Sequence, residues 1–315
     1  MIRCDTHASY YGALMSEHDP LALREHWHVC HFYFYDIYDP KKIIVPTVWS
    51  FEITNVWDAD RRKAENLSKV LYGKPEVCNT FQEVTDDVDL VFIADCNGDG
   101  SDHLQLATPS LEKGIPTFVD KPLAYEAKDA RSLVQLAKNH NAPMTSLSIL
   151  RAVPHATHFR NRFAEIGGPE FGIVKGWGYA MAGQIHLISL AHHLFGAGVE
   201  SVESMGQTPL AYVHLDYGGK PDRPSTGVIL CGASGGVPHC SYFASAYSKY
   251  GAIHSPPIGD FEYPHGAAKI LETIREMVET GESKGPLDEM AEAIAIATAA
   301  RLSHETRRRV YLREV

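Results

Sequence analysis

Over the first half of the chain, short apolar runs alternate with stretches whose apolar residues recur at helical spacing. Phe51 to Trp57 reads as a strand ending at Asp58, Asp60 to Leu71 as a helix, Leu90 to Ala94 as a strand, and Asp102 to Lys113 as a helix closed by Gly114. A further apolar run, Pro116 to Val119, precedes Tyr125 to His140, where Ala130, Leu133, Val134 and Ala137 share one helix face. Buried strands separated by helices predict a parallel, doubly wound α/β sheet. Beyond about Leu150 the pattern changes. Ile173 to Tyr179, Leu210 to Tyr217, Thr226 to Cys231 and Cys240 to Tyr247 read as strands joined by Gly/Pro-rich turns, which predicts a mainly antiparallel, open sheet. One helix, Gln184 to Phe195 with Gly196 as its cap, interrupts these strands. Two more close the chain, the first with Ile270, Leu271, Ile274, Met277 and Val278 on one face, the second starting near Pro286 and alanine-rich through Ala300. The pattern divides the chain into a doubly wound domain, residues 1–148, and a C-terminal α+β domain, residues 149–315.

Residues 17–50 break the alternation and read as an insertion, since a helix-to-strand connection needs only a few residues. The run His26-Trp27-His28-Val29-Cys30-His31-Phe32-Tyr33-Phe34-Tyr35 is aromatic and rich in histidine. A metal held by His26, His28, His31 and Cys30 finds no carboxylate at a supporting spacing, and histidines two apart diverge on a helix. The reading favoured here is a partly ordered flap that packs its aromatics over a ligand crevice or against another subunit.

The composition narrows the partners. The 29 basic and 39 acidic side chains give a net charge of −10, and no basic run exceeds Arg307-Arg308-Arg309, which argues against a nucleic-acid partner. No apolar run approaches the ~20 residues that span a bilayer, and Met1 to Asp5 holds no apolar signal core, so a soluble, cytoplasmic protein is expected. Six cysteines with no C-x-x-C pair fit reduced thiols, with neither a zinc ribbon nor a disulfide framework. No metal is expected.

In an open parallel sheet, ligands bind outside the carboxyl ends of the strands. Asp95 to Asn97 and Asp120-Lys121-Pro122 would then face one crevice, although three residues of this kind also read as a surface turn. The N-terminal segment, Ile2 to Gly12, lacks a glycine-rich phosphate loop; Gly12 alone is available. The helix after it still offers free N–H groups to an anion, with Thr6 or Ser9 as hydroxyl donors, and Asp5 would repel a phosphate unless it is turned away or used as a helix cap. With only four residues ahead of Asp5 the first strand is short, and a native start further upstream is expected.

With these elements placed, residues 51–315 resemble the Gfo/Idh/MocA family of oxidoreductases. The resemblance rests on an ordered set: the strand ending in Asp58, Asp89 to Asn97 with His103, and Asp120-Lys121-Pro122 where the family has Glu-Lys-Pro. Arg151 and Pro154 follow the next strand, and Arg301-Leu302-Ser303 to Arg309-Val310-Tyr311-Leu312 match the family's last helix and strand. It implies a Rossmann domain for a nicotinamide cofactor and a C-terminal domain whose sheet mediates homodimers or homotetramers. It also implies a catalytic histidine, which counting back from Leu194-Phe195-Gly196 places at His186; Ala182 and Ser189 stand where the family carries acids. His192 and His193 follow six and seven residues later, about two turns along a helix. The implied cofactor contacts fall at Thr6, His7, Asp58, Asp95, Asn97, Asp120, Lys121 and Arg151. Asp58 favours NAD, whereas Arg61 and Arg62 leave NADP open.

The implied activity is hydride transfer between NAD(P) and a hydroxyl or keto carbon of a sugar, sugar derivative or cyclitol, with Lys121 and His186 as the acid–base groups. A lysine in a desolvated pocket has its pKa lowered toward neutrality. Trp177, Tyr179, Tyr242 and Phe243 are candidates to stack on a sugar, with core packing the commoner role. Two other readings stay open: glycoside cleavage through transient oxidation by tightly held NAD, and a non-catalytic ligand-binding protein that keeps the fold.

Overall fold

The structure is a computed structural model that describes residues 1–36, 47–177, 180–233, 242–259, 262–285 and 287–315. The chain folds into two units. The first holds Met1–Leu123, Arg131–Ser146 and Ala267–Leu287; the second holds Ala124–Ala130, Leu147–Gly266 and Asp288–Val315.

The first unit begins with Ile2, which is wholly buried and forms parallel bridges to Trp57 on one side and Ile93 on the other. Its N–H donates to Phe92 O at 2.8 Å and its carbonyl accepts from Ala94 N at 3.0 Å. Helix α1 (Thr6–Met15) follows after only three residues. Within the insertion, α2 (Pro20–His26) starts with Asp19 as its N-cap and Pro20 at its first position, and α3 (His28–His31) follows. The strands and helices that continue are β1 (Asn55–Val56), α4 (Arg61–Val70), β2 (Glu76–Val77), β3 (Val91–Ile93), α5 (His103–Glu112) and β4 (Thr117–Val119). Then come α6 (Ala127–Asn139) and β5 (Met144–Thr145). β1 pairs with β2, β4 lies between β3 and β5, and Ile2 joins the two groups, all in parallel. The spatial order is β2-β1-Ile2-β3-β4-β5. Numbered along the chain with Ile2 first, that is 3-2-1-4-5-6, the doubly wound dinucleotide-binding order.

The predicted helices are recovered with ends moved by one to three residues. α4 buries Ala64, Leu67 and Val70, and α6 buries the predicted stripe of Ala130, Leu133, Val134 and Ala137. The strand predicted from Phe51 to Trp57 is cut to two residues. Its parallel partner β2 is equally short, and Glu52 and Thr54 are exposed, so nothing extends the ladder. Within the insertion, residues 20–26 and 28–36 are helical and pack against α1. Tyr10 meets Tyr33 edge-on with centroids 5.9 Å apart and Phe34 at 4.8 Å, and buried Cys30 lies 3.1 Å from Ser9 Oγ. Residues 37–46, which the insertion reading also covered, lie outside the described residues.

In the second unit, α7 (Pro154–Asn161) precedes β6 (Phe171–Trp177), α8 (Met181–Phe195), β7 (Ser201–Met205), β8 (Tyr212–Asp216) and β9 (Val228–Ala233). The hairpin β10 (Phe243–Ser248) and β11 (Gly251–His254) comes next, then α9 (Tyr263–Thr280), which belongs to the first unit from Ala267 on, and lastly α10 (Leu287–Thr306) and β12 (Val310–Tyr311). Seven strands form one sheet in the order β11-β10-β6-β9-β8-β7-β12. All its pairings are antiparallel except β6 with β9. One face is covered by α8, and two glycines permit the close approach. A Cβ on Gly176 would lie 2.1 Å from the Tyr242 ring, and one on Gly172 2.5 Å from Phe195. On the other face Phe171, Ile173, Ile229, Cys231, Tyr212 and Phe243 are partly or fully exposed.

Candidate active site at the carboxyl edge of the parallel sheet

The loop from Ile2 to α1 is too short for a glycine-rich turn, and it closes by other means. Arg3 takes φ +63°, a left-handed conformation usually given to glycine. Its guanidinium is anchored by Asp102 and lies 3.4 Å from Asp95. Asp5 caps α1: Oδ1 accepts from His7 N at 2.9 Å and Ala8 N at 3.2 Å. Its second oxygen accepts from Cys96 N at 2.5 Å, across the point where the strand order reverses. Gly12 lies two turns into α1, where an added Cβ would meet Ile53 at 3.5 Å, so it is a packing glycine and not part of a phosphate loop. Ser9 is wholly buried with Oγ donating to Thr6 O at 3.0 Å, which removes it as a ligand donor.

The ends of β1, β3 and β4 bring the other residues of this edge together. Asp58 accepts from Cys4 N and Asp60 N, each at 2.8 Å, and stays partly exposed with lone pairs to spare. Arg61 is committed to Glu65 and Asn79, and Arg62 to Asp60, at exposed positions. Asp95 fastens the loop after β3. It is buried, accepts from Gly98 N at 2.6 Å and faces the fully buried His103 at 3.1 Å. Burial pushes the Asp95 carboxyl up, but His103 and Arg3 outweigh it and hold its pKa below the ordinary value. Asn97 is exposed at the tip of the same loop.

Asp120 is 1% exposed and fully used: it accepts from Asp95 N at 3.0 Å and Lys121 N at 2.7 Å, and pairs with His7 Nδ1 at 2.5 Å. Burial opposes the imidazolium charge, but Asp120, assisted by the Cys96 thiol, raises the His7 pKa to about 10. The Asp120 carboxyl is lowered in turn, against its own burial, chiefly by His7. Lys121 is 4% exposed and Nζ donates to Cys96 O at 2.7 Å, so its side chain crosses from the end of β4 to the end of β3. An ammonium carries three hydrogens, and this bond uses one. Asp120 thus positions the loop and His7, whereas Lys121 brings a primary amine to the carboxyl edge of β3 and β4.

In the second unit, α8 presents His186, half-buried, with Nδ1 2.7 Å from Ser148 Oγ and its ring edge-on to Tyr242 at 5.9 Å. The hydroxyl also accepts from Leu150 N at 3.2 Å. Ser148 therefore supplies the orienting contact that Ala182 cannot. His192 is buried against Glu292 at 3.2 Å. His193 stands near Thr157, with its pKa lowered to about 4 by burial and by Arg151 and Arg160. Arg151 pairs with Glu289 at 2.5 Å within the second unit. Tyr242 is buried in the sheet, Phe243 lies on the exposed face, and Tyr179 and the Trp177 side chain lie outside what is described. Among the described residues, no group of three His, Cys, Asp or Glu could hold a metal ion, and no helix is long and apolar enough to cross a membrane.

Sequence reasoning missed the His7–Asp120 pair and Ser148. Both join residues far apart in the chain, and no local pattern signals them.

Comparison with known proteins agrees with this architecture. Residues 38–147 match the family model described as an oxidoreductase family with an NAD-binding Rossmann fold. No curated protein matches the chain by sequence. Among solved structures, myo-inositol 2-dehydrogenase from Lactobacillus plantarum is similar at TM-score 0.71 and 13% identity, over 85% of this chain and 93% of that one. An oxidoreductase from Agrobacterium radiobacter, in complex with NAD+, L-tartaric acid and magnesium, is similar at TM-score 0.68 and 14% identity, over 99% and 97%. A probable dehydrogenase from Thermotoga maritima reaches TM-score 0.68 at 16% identity, over 83% and 92%. At these identities the likeness is one of fold.

Proposed function

We propose that this chain, a member of the NAD-binding Gfo/Idh/MocA oxidoreductases, transfers a hydride between NAD and the hydroxyl or keto carbon of a sugar, sugar derivative or cyclitol. The observation that carries the reading is Lys121, held almost wholly buried by Cys96 O at the carboxyl edge of a sheet with dinucleotide-binding order. The substrate class is supported by the cyclitol dehydrogenases among the similar structures. The residues present fit the cofactor at its ribose and nicotinamide ends. Asp58 has a lone pair for the adenosine ribose hydroxyls, and its charge disfavours a 2′-phosphate. Asn97 and Lys121 border the nicotinamide half in this reading. Bound NAD supplies the group that accepts the hydride; this chain's residues handle the proton. Lys121 takes it from the substrate hydroxyl during oxidation and returns it during reduction. His186, oriented by Ser148, is the second acid–base group.

The test is a panel of sugars and cyclitols with the purified protein and NAD+, followed at 340 nm. Turnover with net NADH formation on a polyol is expected; no NADH from any member, with the polyols bound, would favour the non-catalytic reading. Ser148→Ala should lower kcat about tenfold and shift the pH profile, with Ser148→Thr restoring both, because an orienting hydroxyl is all the site requires there. A Thr variant as impaired as Ala would assign Ser148 a packing role.

The assembly proposed is a homodimer or homotetramer formed through the exposed face of the seven-stranded sheet. Phe243, 41% exposed among Ile173, Ile229 and Tyr212, offers the apolar surface such a contact buries. Phe243→Asp should convert the oligomer to monomer in light scattering, and an unchanged mass would move the interface elsewhere.

A further inference from the structure

We propose that Asp5 sets this chain's affinity for NAD by occupying, with its own carboxylate, the place where the dinucleotide's pyrophosphate meets α1. The inference rests on the oxidoreductase reading above. Free N–H groups at a helix N-terminus, together with the helix dipole, make that end an anion site. Here the His7 and Ala8 N–H groups, and Cys96 N from the neighbouring strand end, are all spent on Asp5. A tethered carboxylate is a strong competitor, because it is held in place without the entropy loss that a free anion incurs.

The surrounding charge points the same way. Of the acids on this edge, Asp95 is matched by Arg3 and His103, and Asp120 by His7. Asp5 and Asp58 are bonded to backbone amides and have no ion-pair partner among the described residues. Arg3 is already engaged with Asp95 and Asp102. A diphosphate approaching α1 thus meets two carboxylates that have no ion-pair partner among the described residues. In a glycine-rich loop the corresponding backbone carries no side chain, and its N–H groups are left for the ligand. The difference is confined to the phosphate cradle and leaves the ribose and nicotinamide contacts in place.

The experiment measures NADH binding to the full chain and to Asp5→Asn and Asp5→Ser by nicotinamide fluorescence and calorimetry, with a thermal melt for each. Both substitutions keep an oxygen that can cap α1 and remove the charge, so α1 is retained. Tighter NADH binding by tenfold or more in either folded variant is the expected result. Equal or weaker binding in the folded variants, with the unsubstituted chain binding NADH, would overturn the role of Asp5 and leave the oxidoreductase reading standing. Absence of NADH binding in all three would overturn both.

Discussion

Replacing Lys121 with alanine should reduce kcat by about a thousandfold, the scale of a lost general acid–base group, while the affinity for NADH changes by less than about threefold. The asymmetry follows from where the side chain points. Lys121 Nζ is tied to Cys96 O and not to Asp58, Asp5 or the α1 N-terminus, so removing it leaves Asp58 and the α1 N-terminus as they are. The nearby Asp120 cannot substitute, since its oxygens are filled by His7 and two backbone N–H groups. Because Lys121 is 4% exposed, alanine also leaves a cavity, and Lys121→Met is the shape control. Methionine should keep the melting temperature and lose turnover just as alanine does. Substantial activity in either variant would remove Lys121 from proton transfer.

The second large effect is on stability. Asp120 and His7 form a partly buried ion pair inside the first unit, and removing one partner from such a pair costs about 3 kcal/mol or more, because the other charge is left uncompensated. Asp120→Asn should lower the melting temperature clearly. The pH dependence has a definite sign. The His7 pKa is raised from its ordinary 6.5 to about 10, so its contribution is complete below about pH 6.5 and lost as the pH rises through about 10. The Asp120 carboxyl is lowered, so its contribution is present above the ordinary carboxylate range and lost as the pH falls through its depressed value. Melting curves from pH 5 to 10.5 should show an alkaline decline between 6.5 and 10 that His7→Gln lacks. Parallel profiles for the two proteins would show that the pair contributes nothing.

The parallel sheet was legible in the sequence because its strand ends and helices carry the pattern locally: Val91 to Ile93, Thr117 to Val119 and the apolar stripe of α6 are buried as the residue spacing requires. Glu76–Val77 and Met144–Thr145 were not legible, since two residues contain no period to detect. The parallel pairing of β6 with β9 inside an otherwise antiparallel sheet is set by partners more than fifty residues apart. The candidate site divides along the same line. Lys121 and Asp58 were found from strand ends and motif spacing. The bond from His7 to Asp120 joins residues 113 apart and has no local signal. Asp5 was seen as an obstacle with two possible outcomes, and only the fold shows that capping prevailed, through a bond to Cys96 ninety-one residues away. Ser148 carries no sequence signal because a serine after a strand is commonplace; its meaning comes from His186, thirty-eight residues on.

The most direct test of the central claim is a titration of the full chain with NADH and NADPH, followed by nicotinamide fluorescence. Saturable NADH binding, with NADPH weaker because Asp58 opposes its 2′-phosphate, is the predicted result; no saturable binding of either nucleotide would contradict the account.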